Sequence, residues 1–295
     1  MEHPEPCRFF FIFVIQPATV TNSVNKLWAL VILLLCSGSV ARAQTQPAPA
    51  AAEPAFIVPA RPTFSNPAEF QKPGVLQLES GYNANFHAFG VSNEQDTPIA
   101  IRFAVSSRVL VEADIDSVIS QRAPNQSRAT GFGDCQFGIQ TVLFHEHETS
   151  PGFALAYYIK APTASSSKGL GTGKVDHELT ALLSKTFDKT TFDFNAIYLL
   201  AGRTSRNGHS SSGQGAFAVS EALPKRFGVQ GEISGFSKND EQPGAMLGLA
   251  VATYQVSKRL VLDAGVRFGL SHDAPSRGLV AGMTVGIADL YRKKH

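Results

Sequence analysis

One alternating pattern recurs along most of this chain and constrains its fold more than any other feature. In residues 260–270 apolar side chains alternate with Asp263, Gly265 and Arg267. A helix would mix these two sets around its circumference, whereas a strand puts them on opposite faces. Roughly twelve such segments of about ten residues lie between residues 75 and 291, a pattern typical of a β-barrel that crosses an outer membrane.

The segments and their joins predict the topology. The other alternating segments are 75–82, 99–105, 109–115, 135–143, 153–160, 177–183, 192–198, 215–219, 227–236, 247–254 and 279–287. Short joins at 106–107, 187–190, 223–226 and 256–258 alternate with longer polar stretches at 83–97, 117–130, 163–174, 202–212, 237–243 and 271–277. Short periplasmic turns and long outer loops alternate in this way in barrels. Among the predicted periplasmic turns, the join at 145–151 is longer than the rest.

A soluble β-sandwich or lipocalin-like barrel would also alternate, but its outward face would carry Lys, Glu and Thr. Here the non-apolar face is small, glycine-rich and sparsely charged, which favours the membrane barrel. Aromatic residues near the predicted strand ends agree with interfacial girdles. They are Phe144, Phe153, Phe187, Phe192, Phe227, Tyr254 and Tyr291 at the periplasmic ends, and Tyr82, Tyr198, Phe236 and Phe268 at the outer ends. The fold expected is all-β: an antiparallel transmembrane barrel of about 12 strands over residues 74–291.

The N-terminal residues 1–43 are predicted to be a signal peptide region. Lys26 precedes an apolar run at 27–35, and Ala41-Arg42-Ala43 supplies a cleavage motif before Gln44. The apolar run is too short for a membrane-spanning helix, which needs about twenty residues. The residues before this signal are unusual for a signal peptide, which suggests that translation starts at Val24. After cleavage only Cys135 remains, so no disulfide can form within the chain.

Residues 44–73 are rich in Pro and Ala in their first part and lack periodicity. Pro-rich segments are extended and make few bonds within themselves. We expect a periplasmic tail, with a plug that enters the lumen as the alternative.

The same alternation predicts which charged residues line the lumen: Glu79, Arg102, Glu112, Asp114, Asp134, Lys160, Asp176, Glu178, Asp193, Glu232, Asp263 and Arg267. Charges inside a barrel tune which solutes pass. The acidic excess predicts a weak preference for cations, or a lumen that tolerates neutral solutes and disfavours anions. An equal alternative is that these residues pair across strands and only keep the interior solvated and in register.

Three stretches carry a family resemblance: RPTFSNPAEFQKPGVLQLESGY from Arg61, GFGDCQFGIQTVLF from Gly131, and YYIKAPTASSSKGLGTGKVDHELTALLSKTF from Tyr157. They resemble the outer-membrane "meta-pathway of phenol degradation" family of transporter-like barrels. Three motifs carry the match: G-x-G-D at the start of a strand, K-x-P-T at the end of a strand, and G-x-G-x-x-D, formed by Gly171, Gly173 and Asp176, where the chain enters the next strand. The resemblance implies a barrel that passes small hydrophobic or aromatic compounds. The chain departs from barrel assembly signals by ending on basic residues and His295 after Tyr291.

Several motifs resemble phosphate-binding, metal-binding or catalytic sites, but their residues do not have the spacing that such sites need. Residues 169–174 resemble a phosphate loop but lack its first glycine and its helix. His145 and His147 alternate on a strand end, which leaves each imidazole without a ligand set. His209 beside Ser210–Ser212, and Ser271-His272-Asp273, lie in loops without supporting spacing. We therefore predict no catalytic residue, no metal site and no cofactor.

The function predicted from the sequence is a channel or transporter for small solutes in the bacterial outer membrane. The alternative is a structural or surface-adhesion barrel with a closed lumen. The partners expected are outer-membrane lipid, the outer-membrane assembly machinery and a small-molecule solute. A formal net charge of +2 argues against nucleic acid as a partner.

Overall fold

The computed structural model describes residues 55–88, 91–124, 127–204, 207–240 and 242–291. The predicted signal peptide, its cleavage site, the alternative start at Val24 and residues 44–54 of the predicted tail lie outside these ranges. No helix among the described residues is long and apolar enough to cross a membrane. The strands are β1 (Val75–Ala88), β2 (Val91–Ala104), β3 (Val109–Arg122), β4 (Ala129–Gly131), β5 (Cys135–Phe144), β6 (Gly152–Ala161), β7 (Asp176–Phe187), β8 (Thr190–Gly202), β9 (His209–Ala222), β10 (Phe227–Phe236), β11 (Ala245–Ser257), β12 (Leu260–Gly269) and β13 (Arg277–Asp289).

The strands form one closed antiparallel barrel. Each long strand pairs with its neighbours in the chain, and β1 closes the ring by pairing with β13 from Val75↔Asp289 to Phe86↔Arg277. The three-residue strand β4 pairs with the outer end of β3 in the register that β5 continues, so β4 and β5 form one interrupted strand. The predicted barrel of about 12 strands is confirmed, with β4 as a short extra strand.

Two of the predicted outer loops are largely strand, which corrects the sequence prediction. Residues 83–97 belong mostly to the β1–β2 hairpin, which pairs as far as Ala88↔Val91. Residues 117–122 belong to β3. Residues 92–97 and 120–122 are polar at every position, so alternation ends there. Backbone pairing continues, because paired strands satisfy each other's N–H and C=O groups. The strands on this side of the barrel therefore extend beyond the stretch that alternates.

The apolar residues of the barrel point outward, as the alternation predicted. Exposed large hydrophobic side chains occur along the strands, including Phe137, Ile139, Leu179, Val266 and Leu279. Aromatic pairs lie at the short-turn end: Phe144–Phe153, Phe187–Phe192, Phe227–Tyr254 and Phe103–Tyr291, with ring centroids 4.8–6.4 Å apart. An apolar belt with aromatic ends is the surface that a bilayer solvates.

The described part of the segment before β1 does not extend away from the barrel as an open tail; it lies where the plug alternative puts it, and β1 begins at Val75. Residues 55–73 lie inside the barrel, where their backbone groups bond to side chains of the inner wall. A Pro-rich segment cannot pair with itself as helix or sheet, so its buried N–H groups need other acceptors. The wall supplies these acceptors. We call residues 55–73 the inner ring.

The barrel lumen as candidate functional site

The inner ring makes one lap of the lumen. Its contacts meet the wall strands in the order in which they stand around the barrel, from β1 through β13 and back to β2. The contacts in sequence are Val58 N to Gln77 Oε1 (3.1 Å), Arg61 Nη2 to Ala281 O (3.0 Å), Arg61 Nε to Asp263 Oδ2 (3.2 Å), Ser65 N to Glu232 Oε2 (2.7 Å), Asn66 N to Asn195 Oδ1 (2.7 Å), Ala68 N to Ser184 Oγ (2.7 Å), Gln140 Nε2 to Ala68 O (3.0 Å) and Gln71 Nε2 to Arg102 O (3.1 Å).

The lap closes on itself. Lys72 N donates to Ala55 O at 2.9 Å, so the last residues of the ring meet the first. Gly74 N then donates to Ala104 O at 2.8 Å, and β1 begins at Val75. Because most wall contacts lie within a few residues of the short-turn ends, the inner ring occupies the periplasmic half of the lumen.

Arg61 is the ring residue that crosses the β1–β13 seam. Its guanidinium forms an ion pair with Asp263, and both side chains are largely buried. Gly81 and Gly282 pair directly across the seam. A Cβ on either glycine would come within about 2.1–2.4 Å of guanidinium atoms of Arg61. The two glycines therefore make the space through which Arg61 reaches the wall.

A second charged group fixes the start of the lap. Arg102 is fully buried on β2 and forms ion pairs with Glu79 on β1 (3.5 Å) and Glu112 on β3 (3.2 Å). Glu79 also accepts hydrogen bonds from the backbone N–H groups of Ala60 and Arg61 at 3.0 and 3.1 Å. The buried carboxylate and guanidinium are thus both paired, as burial of charge requires.

The outer half of the lumen is organised around Lys160 on β6. Its ammonium contacts Asp134 (3.0 Å), Asp176 (2.7 Å) and the hydroxyl of Thr172 (3.2 Å). Asp134 in turn accepts a hydrogen bond from Ala164 N at 2.9 Å. Loop 162–175 is therefore held to β5 and β7. The three motifs that carry the family resemblance meet at this cluster, which sequence reasoning did not foresee.

All twelve residues predicted to line the lumen lie on the wall face that contacts the inner ring, as strand alternation requires. Glu79, Arg102, Glu112, Asp134, Lys160, Asp176, Glu232 and Asp263 have the partners described above. Of the remainder, Glu178 accepts from Thr180, Asp193 accepts from Ser184, Arg267 donates to Asn85, and Asp114 stands opposite Gln136 in the β3–β5 pairing. Most of these charges are engaged in bonds rather than free, which matches the pairing alternative. Their role in selectivity stays a prediction.

Sequence reasoning missed several wall residues that bond to the inner ring. Gln77, Gln140, Ser184 and Asn195 are buried polar residues on the lumen face. They share the alternation parity of the predicted charged residues, and this parity was the signal that could have found them. Glu94, which accepts from Asn85 at 3.5 Å, was missed because its segment was interpreted as a loop.

Asp96 was missed for the same reason, since it lies in the same hairpin. It accepts from Asn83 at 2.7 Å.

The motifs considered for chemistry are not assembled into a site. His145 Nδ1 lies 3.0 Å from Glu69 Oε1 of the inner ring, and among the described residues no three His, Cys, Asp or Glu side chains are placed to hold a metal ion. His272 contacts the adjacent Asp273 and is almost fully exposed. His209 packs against His177 with ring centroids 5.7 Å apart, and the hydroxyl of Ser210 accepts from Asp240 N.

Comparison with known proteins identifies the family. The sequence profile described as "Putative MetA-pathway of phenol degradation" matches residues 60–286. The chain belongs to this family. The matched region takes in most of the inner ring as well as the barrel, and it confirms the resemblance carried by the three motifs. No curated protein matches the chain.

The chain is similar to solved structures of outer-membrane barrels. The COG4313 outer membrane channel from Pseudomonas putida F1 superimposes with a TM-score of 0.60 at 13% identity, covering 74% of this chain and 97% of that chain. The NanC porin gives 0.49 at 8% identity, covering 72% and 99%. The CymD monoaromatic hydrocarbon channel gives 0.44 at 9% identity, covering 73% and 89%. The first of these shows that the two chains share one barrel fold.

Proposed function

We propose that this protein is a channel for small solutes across the bacterial outer membrane, with the inner ring as its constriction. One observation carries the proposal: the lumen holds a complete lap of polypeptide. An eight-stranded barrel is filled by its own wall side chains, whereas porins of 16–18 strands leave an aqueous channel. A twelve-stranded wall lies between these sizes, and here its periplasmic half encloses the inner ring, whose Ala68 and Phe70 pack with buried wall residues such as Leu110 and Leu182.

The solutes proposed are small hydrophobic or aromatic compounds. Support comes from the family, whose description refers to phenol degradation. The name of one structural neighbour also refers to an outer membrane channel. We propose no catalytic role, because the Ser and His candidates are not assembled with an acid into a triad.

For ions, the twelve lumen residues are proposed to give a weak cation preference. Nine are acidic and three are basic, and the inner ring adds Arg61, which pairs with Asp263. The pairing of most of these charges limits the preference to a weak one. Reversal potentials in a salt gradient test this, and clear anion selectivity would contradict it.

We further propose the compartment and the assembly route. The signal peptide is removed before Gln44, and the outer-membrane assembly machinery inserts the barrel with both ends in the periplasm. The even number of long strands supports this orientation. Fractionation with heat-modifiable migration on a gel tests it, and a protein recovered only in the soluble periplasmic fraction would overturn it.

Conductance of the purified mature protein in planar bilayers tests the channel directly. We expect small, discrete steps, because the inner ring narrows the lumen. Uptake of a labelled aromatic hydrocarbon by cells that express the protein is expected to exceed uptake by cells without it. Absence of both signals would favour the closed structural or adhesion barrel.

A further inference from the structure

The one long periplasmic turn, residues 145–151, forms part of a pocket that the channel function does not use. A cavity of about 690 Å³ lies at this end of the barrel, lined by Arg108, Leu143, Phe144, His145, His147, Ser150, Pro151 and Phe153. Its volume is within the range of ligand pockets, about 300–1,000 Å³. Leu143 and Phe144 are exposed, and the ring of Phe144 stacks on that of Phe153 at 6.4 Å. The pocket therefore lies on the lipid side of the wall, at the periplasmic edge of the apolar belt.

The polar rim of this pocket is basic. Arg108 is exposed in the β2–β3 turn, and its Nη1 donates to the carbonyls of Val142 (3.2 Å) and Leu143 (3.0 Å). These bonds hold the guanidinium over the end of β5 and leave the hydrogens of Nε and Nη2 for a ligand. A planar guanidinium with free N–H groups suits phosphate oxygens. The imidazole of His147 adds a second nitrogen donor.

The acidic residues of the same turn do not line the pocket. Glu146 accepts hydrogen bonds from Lys185 Nζ (3.1 Å) and Thr186 N (2.7 Å), which turns its carboxylate toward β7. Glu69 of the inner ring is bonded to His145 and to Glu146 N. Glu148 is exposed on the turn and is not a lining residue. An anion at Arg108 is thus not opposed by a lining carboxylate.

We propose that this pocket binds one glycerophospholipid of the periplasmic leaflet, with its phosphate on Arg108 and His147 and an acyl chain along Leu143, Phe144 and Phe153. Two features select this ligand. The pocket joins an apolar wall to a basic rim, so it fits an amphiphile with an anionic head. It also lies at the end of the aromatic girdle, where lipid headgroups meet the barrel. The proposal requires only that the barrel spans a bilayer.

The test uses the full mature protein and phosphatidylglycerol as the probe, with bound lipid counted by native mass spectrometry during titration. Arg108→Gln is expected to weaken the tightest phosphatidylglycerol site about tenfold, the effect of losing a charged hydrogen bond. The matched control is Arg226→Gln, because Arg226 also lies in a periplasmic turn, donates to a carbonyl (Val256 O, 3.0 Å) and adjoins an aromatic pair. The control is expected to bind as the wild type does.

Two further arms make the result decisive. Diacylglycerol, which lacks the phosphate, is expected not to occupy the site; equal binding would overturn the role of Arg108. A photoactivatable phosphatidylglycerol on the wild-type protein is expected to cross-link to residues 143–153. Labelling spread evenly around the belt would overturn the site even if Arg108→Gln does not fold.

An equal loss of phosphatidylglycerol binding in Arg108→Gln and Arg226→Gln would also overturn the site. Conductance of Arg108→Gln is expected to be unchanged, so failure of the lipid site leaves the channel proposal untouched.

Discussion

The polar side chains in the two halves of the lumen have different hydrogen-bond partners. In the periplasmic half, polar wall side chains such as Glu232 and Asn195 bond to the backbone of the inner ring, which is remote from them in sequence. In the outer half, Asp134, Lys160 and Asp176 bond mainly to one another across adjacent strands. The difference shows that polar groups in a barrel interior can find partners either in a segment remote in the chain or in adjacent strands and the loop between them. Because the inner ring makes a full lap of the lumen, we expect the ring, and not the charge pattern, to control conductance.

The largest change in stability is expected at the buried arginine of the periplasmic half. Arg102→Met removes the partner of Glu79 and Glu112 and leaves two buried carboxylates without a cation. Breaking a buried pair costs about 3–5 kcal/mol in the free energy of unfolding. Urea unfolding in lipid vesicles, followed by the heat-modifiable gel shift, measures it. A loss no larger than that of an exposed arginine such as Arg226 would show that the two halves do not differ in this way.

A change in the β1–β13 seam is expected to separate the ring from the wall. Gly282→Val places a side chain where the Arg61 guanidinium lies, since even a Cβ would approach Arg61 Nε to 2.4 Å. Loss of the Arg61–Asp263 pair and of packing is expected to cost about 2 kcal/mol and to raise single-channel conductance several-fold. Gly231→Val is the control, because a Cβ at Gly231 has no heavy atom within 4 Å. Unchanged conductance in a folded Gly282→Val variant would contradict the ring as the constriction.

The outer half is expected to respond more weakly. Lys160→Met removes the cation between Asp134 and Asp176, but the ammonium is partly exposed, so water compensates in part. We expect a loss of about 1–2 kcal/mol in the free energy of unfolding. Limited proteolysis is expected to cleave loop 162–175 sooner, while conductance changes less than in Gly282→Val. An equal rise in conductance would move the constriction to the outer half.

The most local effect is expected at a single hydroxyl that joins the ring to the wall. Ser184→Ala removes the acceptor of Ala68 N and a donor to the Asp193 carboxylate. Two hydrogen bonds are lost, so we expect a loss of about 1–2 kcal/mol in the free energy of unfolding. Hydrogen exchange of the Ala68 amide is the sensitive measurement, since it reports the ring without unfolding the barrel. Exchange as slow as in the wild type would show that this contact does not hold the ring.

The sequence predicts the strands of the wall well where successive residues face lipid and lumen in turn, because lipid favours apolar side chains and the lumen favours polar ones. Strand β10 was predicted and found at residues 227–236, because its two faces meet different solvents. The outer end of the β1–β2 hairpin was missed, because residues 92–97 are polar at every position and carry no alternation. Parity alone assigned the twelve charged residues to the lumen face.

A plug in the lumen was the alternative to the predicted tail, but the path and partners of the inner ring were not predicted, for a different physical reason. Its partners are single side chains far away in the chain, as in the bond from Ser65 N to Glu232. Such contacts have no period and leave no local pattern in the sequence. The same holds for the meeting of Asp134, Lys160 and Asp176, which depends on the register of three strands.

The closure of the ring at Lys72 N and Ala55 O bears on the order of assembly. Most of the ring's hydrogen bonds go to wall strands from β1 to β13, so its native path has few bonds of its own to form first. A segment of this kind gains its conformation only from a template, and the template is complete only when β1 has paired with β13. The ring is therefore expected to be the last part of the chain to order. A newly inserted barrel would then pass through a transient, more permeable stage before it matures.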